Sequence, residues 1–339
     1  MLHRVLQQDY GQIPCMVLAR EIGPGAGGLI RYIPFMLRQM YHLAISRVVI
    51  LDGYCIPVCI LSHGPETRVI QLWHAIAAIK KFGYQILDQP GGRSSAAAQA
   101  LGMHRNYDHV LCCSPAVGEH FRQGFQISED KLLYMGLPRI DAICRQEQES
   151  REEITQRLGI PEDREMILYV PTFRRNRPTD WRKLARAMDP ERFVLILKLH
   201  ELDEQSRARM QQDIAEAAEG GLTVICGDDH STYQWLHYCD RIITDYSSLG
   251  VEASLTDKPL YFYVEDIEEY SREVGLNIDP RKELPGATAL TAEEMARLLE
   301  SPWDPRPQQA FRDKFISVPT EHCTEDLAAF AVGLLKERK

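Results

Sequence analysis

Short runs of aliphatic and β-branched residues alternate along this chain with longer stretches in which apolar positions recur every three or four residues. The short runs predict strands over Cys15 to Ala19, Arg47 to Leu51, Thr67 to Leu72, His109 to Cys113 and Lys131 to Met135 in the first half. In the second half they predict strands over Met166 to Val170, Phe193 to Leu199, Leu222 to Cys226, Arg241 to Thr244 and Leu260 to Val264. Helical stretches fall between them, among them Pro34 to Leu43, Ser94 to His104, the charged Gln146 to Leu158, and Leu249 to Leu255. Thr291 to Glu300 and Thr324 to Lys336 close the chain, each introduced by a threonine suited to N-capping. Regular strand–helix alternation without internal repeats implies α/β layers with parallel sheets, in two units. If two such units face one another, ligands bind at the C-terminal strand ends, in the cleft between them.

Composition narrows the class. The chain has 339 residues, 45% hydrophobic and 26% charged, enough for two domains with sizeable cores. No apolar run reaches the roughly 18 residues of a membrane span, and the start of the chain lacks a secretory signal, so a cytoplasmic protein is expected. The nine cysteines make no CxxC pair and read as reduced, mostly buried thiols. A net charge of −9 argues against nucleic acid as a partner, while local cations can still serve a phosphate-bearing substrate.

Four constellations lie at or just after predicted strand ends. The first is Asp245-Tyr246-Ser247-Ser248, where a strand breaks into two hydroxyls and a helical pattern begins. Such a turn aims amide N–H groups and a helix dipole at one point, which suits a phosphate. There Asp245 would orient the turn, Ser247 and Ser248 would hold phosphate, and Glu252 would accept hydrogen bonds from ribose hydroxyls. The plainer alternatives are an ordinary helix cap and a helix-face glutamate in solvent. The second is Gln71-Leu72-Trp73-His74 followed by Lys80 and Lys81 about two helical turns on, a general base with cations for phosphate. Its alternative is a hydrogen-bonded histidine with two solvated lysines. The third is Pro171-Thr172-Phe173-Arg174-Arg175, with hydroxyl and guanidinium groups suited to phosphate oxygens, or simply a basic surface loop. The fourth is Lys198 and His200, which strand alternation would throw to one side of the sheet, unless His200 merely ends the strand. Gly23-Pro24-Gly25-Ala26-Gly27-Gly28 satisfies G-x-G-x-x-G after a strand-like run, with Asp52 further on, but a redox cofactor site would leave the histidines and paired serines without roles. His104 with His109, and His230 with His237, have no accompanying metal-ligand pattern, so neither metal nor cofactor is expected.

Together these motifs resemble the CDP-glycerol glycerophosphotransferase family of teichoic acid synthesis. The resemblance runs from about Arg47 to Glu300 through QLWHAIAAIKKFGY at Gln71, GLPRID at Gly136, LYVPTFR at Leu168, LKLH at Leu197, ITDYSSLGVEA at Ile243, KPLYFYVEDIEEY at Lys258 and LPGATALTAEEM at Leu284. It implies a GT-B-like α/β fold of two Rossmann-like domains facing across a cleft. An acceptor-side domain would span 1–150, a CDP-donor-binding domain 151–310, and a helical segment 311–339. By position, His74 would be the base that deprotonates the acceptor hydroxyl, and His200 would lie near the donor diphosphate. Thr172, Arg174, Ser247 and Ser248 would line the donor site with Lys198 and Asp245, and Glu252 would meet the ribose. Lys80, Lys81 and Arg139 would serve the acceptor side. The chain departs from the family's WHG pattern in having Ala75 for Gly, no following Pro, and the lysine pair one residue later.

The resemblance implies transfer of glycerol phosphate from CDP-glycerol, or ribitol phosphate from CDP-ribitol, to a lipid-linked saccharide or teichoic-acid-like chain, releasing CMP. The chain length suits one catalytic unit adding one or a few units. Work at the inner face of the cell membrane would follow. Leu29 to Leu43, with Ile30, Ile33, Phe35, Leu37 and Met40 beside Arg31 and Arg38, is the segment for peripheral membrane contact, although core packing is the favoured reading of it. Two rivals stay open: a GT-B glycosyltransferase using a nucleotide sugar, and a non-catalytic nucleotide-binding module.

Overall fold

The computed structural model describes residues 1–20, 25–145, 149–172, 180–200, 204–218 and 221–336. The chain divides into two compact units, one of Met1–Asp141 with Ile316–Lys339, the other of Ala142–Phe315. The sequence places a boundary near residue 150 and predicts 311–339 as a segment apart.

The first unit holds four strands, β1 Val48–Leu51, β2 Arg68–Gln71, β3 His109–Cys112 and β4 Leu132–Tyr134, paired in that order and all parallel. Ile70 and Leu111 are fully buried, and on them pack Leu327, Ala331 and Phe330 of the helix Cys323–Leu334, with Leu2 of helix α1 (Leu2–Asp9). The expected strand over Cys15 to Ala19 is absent. That run is largely exposed, and an apolar run without a partner ladder has nowhere to place its backbone hydrogen bonds. The strand–turn–helix context of the glycine motif is lost with it, and Gly25 onward lies in helix α2 (Gly25–Ile45). The closing helix also starts differently. Thr324 lies inside it, and its hydroxyl and N–H, with the Cys323 N–H, donate to the Asp141 carboxylate. An aspartate 182 positions away in sequence thus caps this helix in place of the threonine.

The second unit holds β5 Glu165–Val170, β6 Phe193–Leu197, β7 Thr223–Cys226, β8 Arg241–Thr244, β9 Leu260–Tyr263 and β10 Thr288–Ala289. They form one parallel sheet in the order β10-β9-β8-β5-β6-β7. Phe193–Leu197 and Leu260–Tyr263 are buried along their whole length, as continuous apolar strands covered on both faces must be. The helix Ala292–Glu300 is capped by Thr291, whose hydroxyl accepts from the Glu294 N–H, as the sequence predicts. The chain runs outward from β5 through β6 to β7, then returns to the other side of β5 to lay down β8. The sheet's topological switch therefore lies between β5 and β8.

In the first unit a bed of aromatic rings supports the segment after β2. Trp73 lies 5.2 Å from Phe82 and 5.1 Å from Phe125 between ring centroids, and Phe125 lies 4.8 Å from His104. The tip of the Phe82 ring lies against Gly124 of the helix Pro115–Phe125, where a β-carbon would run into it. His104 is buried with its Nδ1 3.1 Å from the Tyr107 hydroxyl. Burial, aided by the charge of Arg93, pushes its pKa down to about 4 from 6.5.

The folded state thus binds fewer protons at His104 than the unfolded chain between pH 6.5 and about 4. Its neutral form contributes stability that is complete above that window and is lost as pH falls through it, on the order of 3 kcal/mol. Denaturant titrations of the parent and of His104→Phe across this window should give a flatter pH dependence for the variant; parallel curves would remove His104 as the cause.

Candidate active site

Candidate side chains gather where the parallel strands end. In the first unit, Asp52 follows β1, His74 follows β2 by three residues, and Arg139 lies in the helix Pro138–Cys144 beyond β4. The His74 ring is exposed on one side and packs on the other against Trp73, at 4.1 Å between centroids. The surrounding protein dehydrates its charged form and lowers its pKa; Arg139 and Lys80 push the same way, and Asp52 opposes them. The structure therefore brings His74, Lys80, Arg139 and Asp52 into one electrostatic neighbourhood.

The helical spacing expected between His74 and the lysines is not found. Residues 75–79 bend irregularly, because Ala75, Ile76, Ala77, Ala78 and Ile79 are all buried and leave no polar face for a surface helix. Lys80 is half-buried, while Lys81 is exposed.

In the second unit the centre of the arrangement is Asp245, one residue past β8 and almost wholly buried. Its carboxylate accepts the Thr172 N–H at 2.9 and 3.0 Å and the Thr172 hydroxyl at 2.6 Å. Thr172 follows β5, so this contact closes the crevice at the switch point. Tyr246 is fixed beside it, stacked on Tyr270 at 3.9 Å with its hydroxyl donating to Asp266 at 2.9 Å.

Ser247 and Ser248 are half-buried at the start of the helix Leu249–Ala253. The amides expected to be open there are taken up locally. Leu249 N–H donates to Ser247 Oγ, Gly250 N–H to the Ser247 carbonyl, and the Val251 and Glu252 N–H groups to the Ser248 carbonyl. A five-residue helix also carries little macrodipole, so what this turn offers comes from the two serines rather than from the helix end. Glu252 is buried rather than solvated, with the Tyr233 hydroxyl donating to it at 3.4 Å.

Lys198 and His200 do not share a strand face. β6 ends at Leu197, opposite the last residue of its partner β7, and both residues lie in the irregular segment beyond. Lys198 Nζ lies 3.4 Å from Asp228, and His200 is exposed. Arg174 lies outside the described residues. Sequence reasoning missed Asp228 and Asp266, and weighed Asp52 only as a dinucleotide acid. Their common signal is an acid within a few residues of a strand end. Among the described residues no cluster of three or more histidine, cysteine or acidic side chains is placed to hold a metal ion.

A sequence model of the family described as CDP-Glycerol:Poly(glycerophosphate) glycerophosphotransferase matches residues 28–328. The teichoic acid ribitol-phosphate primase of Bacillus spizizenii is 30% identical over 98% of this chain and 87% of its own. The teichoic acid glycerol-phosphate primase of Bacillus subtilis is 26% identical over 88% of this chain and 77% of its own. A structure of the wall teichoic acid polymerase TagF aligns with a TM-score of 0.70 at 19% identity, over 99% of this chain and 84% of that one. That likeness is one of fold, the GT-B-like class of α/β units with parallel sheets.

The Asp245 contact makes a prediction of its own. Asp245→Ala leaves buried Thr172 donors without an acceptor, at about 1–3 kcal/mol for each. Thr172→Val removes only the hydroxyl and keeps the backbone bond. Chemical denaturation should therefore rank Asp245→Ala as the more destabilised; equal losses would show that the bonds to the backbone contribute nothing.

Proposed function

Since the chain belongs to the CDP-glycerol:poly(glycerophosphate) glycerophosphotransferase family, we propose that it transfers glycerol phosphate from CDP-glycerol to an acceptor hydroxyl and releases CMP. The acceptor is a lipid-linked saccharide or a teichoic-acid-like chain. The observation that carries this reading is His74: a ring open to solvent at a parallel strand end, held toward its neutral form by dehydration and by Arg139 and Lys80. A neutral imidazole can take a proton, and the same two cations suit an acceptor that carries phosphate.

In this mechanism the acceptor hydroxyl gives its proton to a His74 ring nitrogen as its oxygen attacks the glycerol-bearing phosphorus in line. The bond from that phosphorus to the bridging oxygen breaks, and CMP leaves with the bonding pair. Phosphoryl transfer rests mainly on positioning and charge stabilisation. Thr172, Arg174, Lys198, His200, Ser247 and Ser248 carry that load in the second unit, with Asp245 orienting the turn and Glu252 meeting the ribose. Lys80, Lys81 and Arg139 hold the acceptor. A second reading, with CDP-ribitol as donor, is favoured by the 30% identity to a ribitol-phosphate primase.

Calorimetric titration with CDP-glycerol, CDP-ribitol, CDP, UDP-sugars and NAD tests the donor. Selective binding of one CDP-alditol is expected and chooses the polyol; preference for a UDP-sugar or NAD overturns the reading. His74→Ala should bind the donor as the parent does and lose about 10²- to 10⁴-fold in turnover. Near-full turnover of that variant would end the base assignment.

Peripheral membrane contact is proposed through α2. Ile30, Ile33, Leu37, Tyr41 and Ile45 form an exposed stripe at helical spacing, whereas Phe35 and Met40 turn inward to half-burial and Leu43 to full burial. Core packing, the favoured reading of this segment, thus accounts for one face alone. Arg31 and Arg38 are exposed beside the stripe and suit anionic headgroups. Among the described residues no helix is long and apolar enough to cross a membrane. Ile33→Glu with Leu37→Glu should weaken cosedimentation with phosphatidylglycerol vesicles about tenfold or more. No binding by the parent, or equal binding by both chains, rejects the membrane reading.

A further inference from the structure

We propose that Gln71 is the positioning residue of the first unit: its buried amide locks the Asp52 loop to the His74 loop and so sets the placement of the His74 ring. The inference rests on the reading of His74 as the base.

Gln71 ends β2 and is 0% exposed. Its Nε2 donates to the Gly53 carbonyl at 3.0 Å, and its Oε1 accepts the Trp73 N–H at 2.8 Å. A primary amide both donates and accepts, and here each capacity holds a different loop. Glutamate cannot donate, methionine can do neither, and asparagine is one methylene short of spanning two loops.

What the amide holds is not a relaxed backbone. Trp73 has φ 61°, in the left-handed region, which costs a bulky L-residue about 1–3 kcal/mol and persists only where its surroundings fix it. The Gln71 bond fixes its N–H, and Phe82 and Phe125 fix its ring. With both ends of Trp73 held, its ring becomes the surface on which the His74 ring rests. At its other end the amide holds Gly53, next to Asp52, one of the charged groups that act on His74. One side chain thereby governs both the ring and part of its electrostatic surroundings.

The test uses the full chain with Gln71→Met and Gln71→Asn. Turnover is measured with whichever CDP-alditol the parent accepts, and the His74 imidazole is titrated by NMR, its signal identified by its absence in His74→Ala. Gln71→Met should lower kcat about 10- to 100-fold at unchanged donor KM. The His74 titration should move up toward the ordinary histidine value as the ring leaves its dehydrated setting, carrying the acid limb of the rate profile with it. Gln71→Asn keeps an amide but reaches one loop, and should fall between; it carries the same readouts if the methionine variant does not fold. Folded variants whose His74 titration matches the parent's overturn the proposal, whatever their kcat. Turnover by His74→Ala equal to the parent's would instead end the base assignment, leaving the titration to decide on Gln71 alone.

Discussion

A carboxylate buried at a strand end has to be answered by donors, and in the second unit Asp245 is answered by the backbone and hydroxyl of Thr172. That requirement shapes the site. Asp245 leaves β8 and Thr172 leaves β5, so the bond fixes the two loops on either side of the one place where the strand order reverses. Tyr246 is then held by its stack on Tyr270 and its bond to Asp266, and Ser247 and Ser248 lead from there into the next helix. The first unit meets a similar need with a neutral group. Gln71 joins the loops after β1 and β2, and a buried amide costs far less to dehydrate than a buried charge.

Much of this architecture was legible in the sequence, because strands covered on both faces need unbroken apolar runs and Met166 to Val170 or Leu260 to Val264 can hardly be anything else. The errors share a cause. A run of the right composition is a strand only if another strand lies beside it, and composition does not say where the partner stops. Cys15 to Ala19 has none, and β6 gives out before Leu199 because β7 has already turned away at Gly227. β10 is two residues long and exists only as an addition to β9.

The candidate site was legible to the same depth. Residue type and position after a strand marked His74, Thr172, Asp245 and the serines. Their partners were not visible, since Thr172 and Asp245 are 73 positions apart and Lys198 and Asp228 are 30 apart. The aromatic residues after the lysine pair are a further case. Phe82 stands next to the lysine pair in the sequence, and its ring is pressed on Gly124, so the far end of the His74 segment is anchored by packing.

The Asp141 cap on the last helix bears on how the molecule is made. All the strands of the second unit come from residues 142–315, so a ribosome delivers that sheet as one uninterrupted piece. The first unit is split around it. Its sheet is synthesised early, but Leu327 and Ala331, which cover Ile70 and Leu111, come only after that whole insertion has been translated. During elongation the apolar face beneath the last helix has at most Leu2 of the first helix to cover it, and the part of the chain made first is the part finished last.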